Sequence, residues 1–395
     1  MKYRKFGRLD WKVSNLGLGV MRLPFMDQDP ENLNEDNAIQ MIRYAIDHGV
    51  NYLDLGHPYN ERQYERLIRT VGQAIENGYR QKIRITASLP TFSLNASQDF
   101  DRYLNEQLEW LQLDRIDFYL LGRLNRENWP KLEGLGVLRW ADHALSDGRI
   151  DNLGFSFHDH FQVLRDILNA YDKWALCQFQ FSHMDVDHDP GLSGIKYAAD
   201  EGLAVVAAEP LKWGRLSKEP PESVAKVWES APTNRTLTDW GLRWVWNHPE
   251  VSVVVCDMSN VGQVTENIGY AAGVEPDSLS VRELLLFNQV REAYFALRPI
   301  LCTSCRACMP CEMGIDVPRI FELYNDAIMY RDVETARSIY CLEKHHIDSC
   351  TQCHACENAC AKRMAVLDCL KAAQQLFEEC DEGSLGCNKN NKSFG

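Results

Sequence analysis

Residues 51–122 contain three short apolar runs at a regular spacing: NYLDLG (51–56), IRITAS (83–88) and DFYLLG (117–122). Each run has the length of a buried β-strand. The stretches that flank them carry helix signals, as in residues 34–49, which begin near Asn34 or Asp36 and end at Gly49. The pattern predicts strands that alternate with helices and therefore a parallel sheet.

The same pattern extends in both directions along the chain. Five further apolar runs complete it: SNLGLGV (14–20), NLGFSF (152–157), ALCQFQF (175–181), AVVAAE (204–209) and VSVVVC (251–256). Eight strand–helix units in about 270 residues predict a (β/α)8 TIM barrel. The stretch 3–14 predicts a hairpin that covers the barrel floor. The alternative is an open doubly wound sheet, but GVMRLPFMDQD (19–29) lacks the glycine-rich phosphate loop usual after its first strand.

Composition and charge exclude several classes of protein. The 395 residues are 45% hydrophobic and 25% charged, as in a globular chain of two to three domains. The net charge of −14 argues against binding to nucleic acid or to an anionic membrane surface. No apolar run is long enough to span a membrane and the N-terminus resembles no signal peptide, so we expect a cytoplasmic protein.

The cysteines are the unusual feature of this composition. The chain has 14 cysteines, and ten of them lie between residues 302 and 369. Eight form two runs with two- or three-residue gaps: Cys302, Cys305, Cys308 and Cys311, then Cys350, Cys353, Cys356 and Cys360. Such runs are typical of [4Fe–4S] clusters, in which three closely spaced thiolates wrap one cube and the fourth ligates the other cube. A pair of zinc sites, each with four cysteine ligands, is the alternative.

The spacing predicts two clusters with crossed ligands. One is assigned Cys302, Cys305, Cys308 and Cys360, and the other Cys350, Cys353, Cys356 and Cys311. The predicted domains are a barrel (1–297), a small α-rich, ferredoxin-like iron–sulfur domain (298–375) and a tail (376–395) that loses hydrophobicity.

Several longer segments resemble the aldo/keto reductases. They are LDLGHPY (53–59), IDFYLL (116–121), NLGFSFHD (152–159), AEPLKWGRL (208–216) and VSVVVCDMSNVGQVTEN (251–267). The cysteine-rich segment is similar to the ferredoxin-type extension of one branch of that superfamily.

The resemblance implies a catalytic tetrad of Asp, Tyr, Lys and His. Asp54 and Tyr59 match the first two, whereas the Lys falls on Ser88 and the His on Gly122. A tyrosine without a neighbouring cation is a poor acid near neutral pH. Two replacements remain open. Arg84, Arg123 or Lys212 would supply the missing charge, or His57 or His183 would act as the proton donor.

The resemblance also implies a nicotinamide nucleotide. Ser156 and Gln178 would hold its carboxamide, and Glu266 with Asn267 its adenine. The loops after the last two strands form the usual phosphate site of this fold, where we place Lys212, Arg215 and Ser259. Asp257 lies in the same region and disfavours a 2′-phosphate, which argues against NADPH; NADH, a flavin or no nucleotide remain open.

Three functions are compatible with these observations. The first is an iron–sulfur oxidoreductase that acts on a small organic substrate, with electrons supplied by a ferredoxin- or flavodoxin-type donor. The second is an NAD(P)H-dependent carbonyl reductase with accessory clusters. The third is a non-redox lyase or isomerase. A homodimer is compatible with each of them.

Overall fold

The computed structural model describes residues 1–25, 32–56, 61–187, 190–343 and 345–378. The chain divides into two compact units. The first contains residues 1–217 and 235–280, and the second contains residues 218–234 and those from 281 onward. The predicted boundary after residue 297 thus falls later than the division at residue 281.

The first unit is built around parallel strands. In chain order the strands are β1 (Tyr3–Phe6), β2 (Leu9–Ser14), β3 (Leu16–Gly19), β4 (Tyr52–Asp54), β5 (Arg84–Leu89), β6 (Ile116–Leu124), β7 (Ile150–Phe157), β8 (Trp174–Gln180), β9 (Ala204–Ala208) and β10 (Val251–Asp257). Within the described residues, β3 to β10 pair in parallel and close into an eight-stranded barrel through the β10–β3 pair. The predicted (β/α)8 barrel is confirmed.

Helices follow the strands. In chain order they are α1 (Glu35–Asp47), α2 (Glu61–Ala74), α3 (Gln98–Leu111), α4 (Trp129–Gly134), α5 (Val137–Ser146), α6 (Phe161–Asn169), α7 (Gly191–Asp200), α8 (Glu222–Trp228), α9 (Leu237–Trp246), α10 (Val261–Ala272), α11 (Val281–Phe295), α12 (Val317–Met329), α13 (Val333–Leu342), α14 (Ala355–Ala359) and α15 (Val366–Glu378). Asn34 caps α1 by accepting a hydrogen bond from the N–H of Asn37. Helices α8 and α11 to α15 belong to the second unit.

The hairpin of β1 and β2 closes the floor of the barrel, as predicted. Phe6 and Val13 are fully buried against apolar side chains from the barrel strands. Gly7 has φ +54°, and a Cβ there would lie 2.3 Å from the backbone nitrogen of Ala204, so the tight turn requires glycine. The side chains of the hairpin thus fill the floor of the barrel.

The second unit is α-rich. Helix α12 packs against α13 and α15, and α11 packs against α8. Its core consists of apolar side chains from α12, α13 and α15, such as Phe321, Ile339 and Leu370. The predicted tail lies outside the described residues beyond Glu378. No helix in the described part of the chain is long and apolar enough to cross a membrane.

Candidate functional site

Asp54 lies at the carboxyl end of β4, inside the mouth of the barrel. Its carboxylate accepts hydrogen bonds from the Gly56 N–H (2.9 Å) and from the side-chain amide of Gln178 on β8 (2.8 Å). The side chain is only 3% exposed. Burial raises the pKa of Asp54 to about 6, although these two hydrogen bonds oppose the shift.

Two more carboxyl groups lie at the ends of neighbouring strands. Glu209 directly follows β9, and its Oε2 accepts the N–H of Trp213 at 2.8 Å. Asp257 ends β10, and its Oδ1 accepts the N–H of Met21 at 3.1 Å. Burial, followed by the charge of Asp257, raises the pKa of Glu209 to about 7. Burial also raises the pKa of Asp257, and the nearby cation Arg22 opposes this. Burial thus raises the pKa of all three carboxyl groups at the mouth.

Lys212 does not lie open toward this mouth. Its ammonium group contacts Asp185 Oδ1 at 2.8 Å, and the two side chains are only 7% and 8% exposed. The second oxygen of Asp185 accepts the hydroxyl of Ser182. Arg215 is also buried. The positive charge of Lys212, which the sequence analysis assigns to phosphate, is thus already paired.

The predicted carboxamide ligands Ser156 and Gln178 also have protein partners. The hydroxyl of Ser156 accepts the N–H of Arg123 at 2.7 Å, and the amide N–H of Gln178 donates to Asp54. Of the predicted adenine ligands, Glu266 is exposed and Asn267 is buried on α10. Ser259 is exposed at the start of α10 and donates to Gln263.

The predicted proton donors are placed only in part. His57 and Tyr59 lie outside the described residues. His183 is buried, with its ring centroid 6.4 Å from that of Trp244. Ser88 lies in β5 and Gly122 in β6, at the positions that the resemblance gives to the Lys and His.

Sequence reasoning missed the partners of these groups. Arg22 donates to the backbone oxygen of Trp213 at 3.0 Å, and its guanidinium lies 5.4 Å from the Trp213 ring centroid. Asp185 is the partner of Lys212. Arg22 and Asp185 lie in loops that follow barrel strands, and this position in the sequence could have identified them as residues of the mouth.

In the second unit, cysteines from both runs meet in one pocket. Its lining includes four cysteines together with Phe321 and Val366: Cys302, Cys305, Cys308 and Cys360. Three residues of the first run and the last of the second are thus brought together, although 52 positions separate Cys308 from Cys360.

The backbone of the two cysteine runs repeats one pattern. Left-handed residues occur two positions after the first cysteine and one after the second: Ser304 (φ +52°) and Arg306 (+56°), then Gln352 (+56°) and His354 (+60°). A further left-handed residue, Gly314 or Arg363, lies three positions after the fourth cysteine of each run. Alternating right- and left-handed residues point backbone N–H groups inward and create sites for anions. The N–H of Ser304 accordingly contacts the sulfur of Cys302 at 3.4 Å.

Backbone donors also affect the thiol groups. Hydrogen bonds, the largest from the N–H of Ala307, lower the pKa of Cys305. Burial raises the pKa of Cys302, and it raises that of Cys308 to about 11. Within the described residues, no three His, Cys, Asp or Glu side chains converge as ligands of a single metal ion.

The fold and the mouth together define a (β/α)8-barrel protein with ionisable side chains at the carboxyl ends of its strands. A family model described as "Aldo/keto reductase family" matches residues 15–278. The chain belongs to the aldo/keto reductase family of oxidoreductases. The matched segment ends before α11, so the cysteine-rich residues lie beyond it.

Individual relatives agree with this assignment. The chain is 24% identical over 316 residues to L-galactose dehydrogenase of Arabidopsis thaliana, covering 72% of this chain and 94% of that protein. It is 24% identical over 271 residues to versiconal hemiacetal acetate reductase of Aspergillus parasiticus, covering 61% and 74%. An aldo-keto reductase from Bacillus halodurans in its holo form shares the fold, with a TM-score of 0.60, 23% identity, and coverage of 73% and 96%. One from Klebsiella pneumoniae, solved with NADPH, has a TM-score of 0.58, 21% identity, and coverage of 73% and 95%.

The residues of the barrel mouth are a poor fit for the nicotinamide nucleotide that the family implies. Lys212 is paired with Asp185, and the amide N–H of Gln178 is used by Asp54. Glu209 and Asp257 add carboxylates beside the loops where this fold usually binds phosphate. A negative charge next to a phosphate lowers affinity, most of all in a site with little water.

Proposed function

We propose that this protein is an iron–sulfur oxidoreductase that reduces or oxidises a small organic substrate in the barrel mouth. Two [4Fe–4S] clusters in the second unit would relay the electrons. A ferredoxin- or flavodoxin-type protein would exchange electrons with the clusters, and we expect this to occur in the cytoplasm. When bound, such clusters accept and donate single electrons.

The pocket lined by Cys302, Cys305, Cys308 and Cys360 carries this proposal. The combination of three cysteines from one run and the last of the other is the crossed ligand set that the spacing predicts. The repeated left-handed residues support a second, equivalent loop around Cys350, Cys353 and Cys356. Inward N–H groups stabilise the negative charge of thiolates, as a bound cluster requires.

The fit of the cysteine residues to a cluster follows from their chemistry. Thiolate sulfur is the usual protein ligand of iron–sulfur clusters. Apolar side chains, among them Val317, Phe321 and Val366, form part of the pocket wall around the cysteines. The polarity around the sulfurs and their solvent exposure are among the factors that set the reduction potential of a bound cluster.

In the barrel, the described residues can bind a small polar substrate and hold protons for it. Asp54, Glu209 and Asp257 are carboxyl groups with raised pKa values, and Arg22 supplies a positive charge beside the last two. These groups are of the kind that exchanges protons with a substrate near neutral pH.

A second candidate function is an NAD(P)H-dependent carbonyl reductase with accessory clusters. Family membership and the two relatives named as a dehydrogenase and a reductase favour it. The paired Lys212 and the carboxylates of the mouth oppose it.

Anaerobic purification of the full chain tests the first proposal. We expect about eight iron atoms and eight inorganic sulfides per chain, a brown colour, and bleaching by dithionite but not by NADPH. Zinc without sulfide would overturn the iron–sulfur proposal. Bleaching by NADPH alone would instead favour the carbonyl reductase.

A further inference from the structure

Glu209 and Asp257 each present one carboxyl oxygen to the mouth. They belong to neighbouring elements, because β9 and β10 pair in parallel. One oxygen of each accepts a backbone N–H, from Trp213 or Met21. Within the described residues, the other oxygen of each carboxyl group receives no hydrogen bond.

The backbone holds both side chains in specific positions. Glu209 has φ +52°, and Lys212 and Trp213 in the same loop are also left-handed. Left-handed conformations cost free energy for residues other than glycine and cluster at active sites. A Cβ on Gly19 would lie 2.3 Å from Asp257 Oδ1, so the position of Asp257 depends on glycine at 19. The left-handed backbone at Glu209 and the close approach of Asp257 to Gly19 thus fix the positions of the two carboxyl groups.

The charges around the pair come from four elements. Arg22, after β3, acts on both carboxyl groups. Lys212 acts on Glu209 but is shared with Asp185. Besides burial, the charges of both groups raise the pKa of Cys256 on β10, and the charge of Asp257 raises that of Asp54 on β4. One cation beside two carboxyl groups and a third acid favours retention of a proton by the pair.

We propose that Glu209 is the catalytic acid of the barrel mouth, donating a proton to the oxygen of a neutral carbonyl substrate, with Asp257 as its partner. This rests on the proposed function. Reduction of a carbonyl to an alcohol takes two electrons and two protons. A low-potential, one-electron donor of the ferredoxin type supplies both electrons in turn. The new O–H bond takes its proton from Glu209, which is left as a carboxylate, and solvent supplies the C–H proton and then reprotonates Glu209.

Electrostatics support this role and the class of substrate. The pKa of Glu209, raised to about 7, lies near the operating pH, where a general acid is most effective. A substrate with a carboxylate or phosphate would meet Glu209 and Asp257 at short range, so we assign the site to uncharged carbonyl compounds.

Carbon-13 NMR of the full chain labelled at the glutamate carboxyls tests the first half of the proposal. We expect one resonance with a midpoint near pH 7 that is absent from Glu209→Gln and moves to lower pH in Asp257→Asn, because the neighbouring negative charge is gone. Glu201→Gln, at an exposed position in the same unit, is the control and should keep that resonance. A Glu209 midpoint in the ordinary range of about 4 to 5 would overturn the proposal.

Reduction of 4-nitrobenzaldehyde by dithionite-reduced methyl viologen tests the second half. We expect Glu209→Gln to lower kcat about 100-fold or more with little change in KM, and Asp257→Asn to shift the pH profile downward. Equal rates for Glu209→Gln and the unmodified protein would overturn the assignment. If the unmodified protein reduces nothing yet shows the high midpoint, the iron–sulfur reductase proposal fails while the proton-holding pair is supported.

Discussion

The buried ion pair of Lys212 and Asp185 leads to a prediction about stability. Asp185→Asn preserves the shape of the side chain but removes its charge, so the buried ammonium group of Lys212 loses the carboxylate that it contacts at 2.8 Å. Because both side chains are less than 10% exposed, water cannot compensate for the loss. Removal of one partner from such a pair costs about 3–5 kcal/mol of the free energy of unfolding.

The double variant separates the charge from the packing. Asp185→Asn with Lys212→Met has no buried charge at this position, and we expect it to recover to within about 2 kcal/mol of the unmodified protein. The matched control is Glu35→Gln. Arg66 contacts Glu35 at the same distance of 2.8 Å, but both side chains are more than 40% exposed. An exposed pair contributes at most about 1 kcal/mol, so this variant should change stability little.

Urea unfolding of the full-length variants, followed by tryptophan fluorescence, provides the assay. The free energies of unfolding of the unmodified protein, Asp185→Asn, Lys212→Met and the double variant together give the coupling between Lys212 and Asp185. A cost below about 1 kcal/mol for Asp185→Asn, or one equal to that of Glu35→Gln, would refute the reasoning that burial makes this pair important. It would also reopen Lys212 as a phosphate ligand.

Three further predictions follow from the two sites. Burial raises the pKa of Asp54 from 3.8 to about 6, so the folded protein binds this proton more tightly than the unfolded chain does. The stabilisation that this binding gives at low pH is lost as the pH rises through 6. Asp54→Asn should therefore gain about 3 kcal/mol relative to the unmodified protein as the pH rises from about 3 to about 7.5 in urea unfolding, and a pH-independent difference would contradict this. Cys302→Ser and Cys360→Ser should each lose about four of eight irons, from the same cluster, whereas Cys311→Ser should affect the other cluster. Iron analysis with electron paramagnetic resonance distinguishes these patterns, and unequal signals from Cys302→Ser and Cys360→Ser would disprove the crossed ligands. Asp257→Ser should increase affinity for 2′,5′-ADP about tenfold or more in calorimetry, and unchanged affinity would show that Asp257 does not repel phosphate.

Much of the barrel was predictable because its signal is local. Each strand is a short apolar run, and helix α1 combines an apolar period with the capping residue Asn34. The rim position of Asp54 also followed, since the residue at the end of a barrel strand faces the mouth. The cysteine runs were equally easy to recognise, because the spacing of each run is visible within one short segment of the sequence.

The remaining features depend on contacts between residues that are distant in sequence. Asp185 precedes its partner Lys212 by 27 positions, and no pattern along the chain connects them. Arg22 and Trp213 meet only because the barrel closes between β10 and β3. The sequence analysis assigned residues up to 297 to the barrel, but apolar spacing does not state which core a helix joins, and α11 packs with α8 in the second unit. His57 and Tyr59 lie outside the described residues, so their assignment stays a prediction.

The repeated spacing of the left-handed residues in the two cysteine runs bears on how this segment evolved. Ser304 and Gln352 are 48 positions apart, as are Arg306 and His354, whereas Gly314 and Arg363 are 49 apart, so the copies differ by one inserted residue between Cys356 and Cys360. Tandem copying of an ancestral segment produces this kind of offset. Each copy would then be an interchangeable module, and a chimaera in which residues 302–308 and 350–356 trade places should still fold.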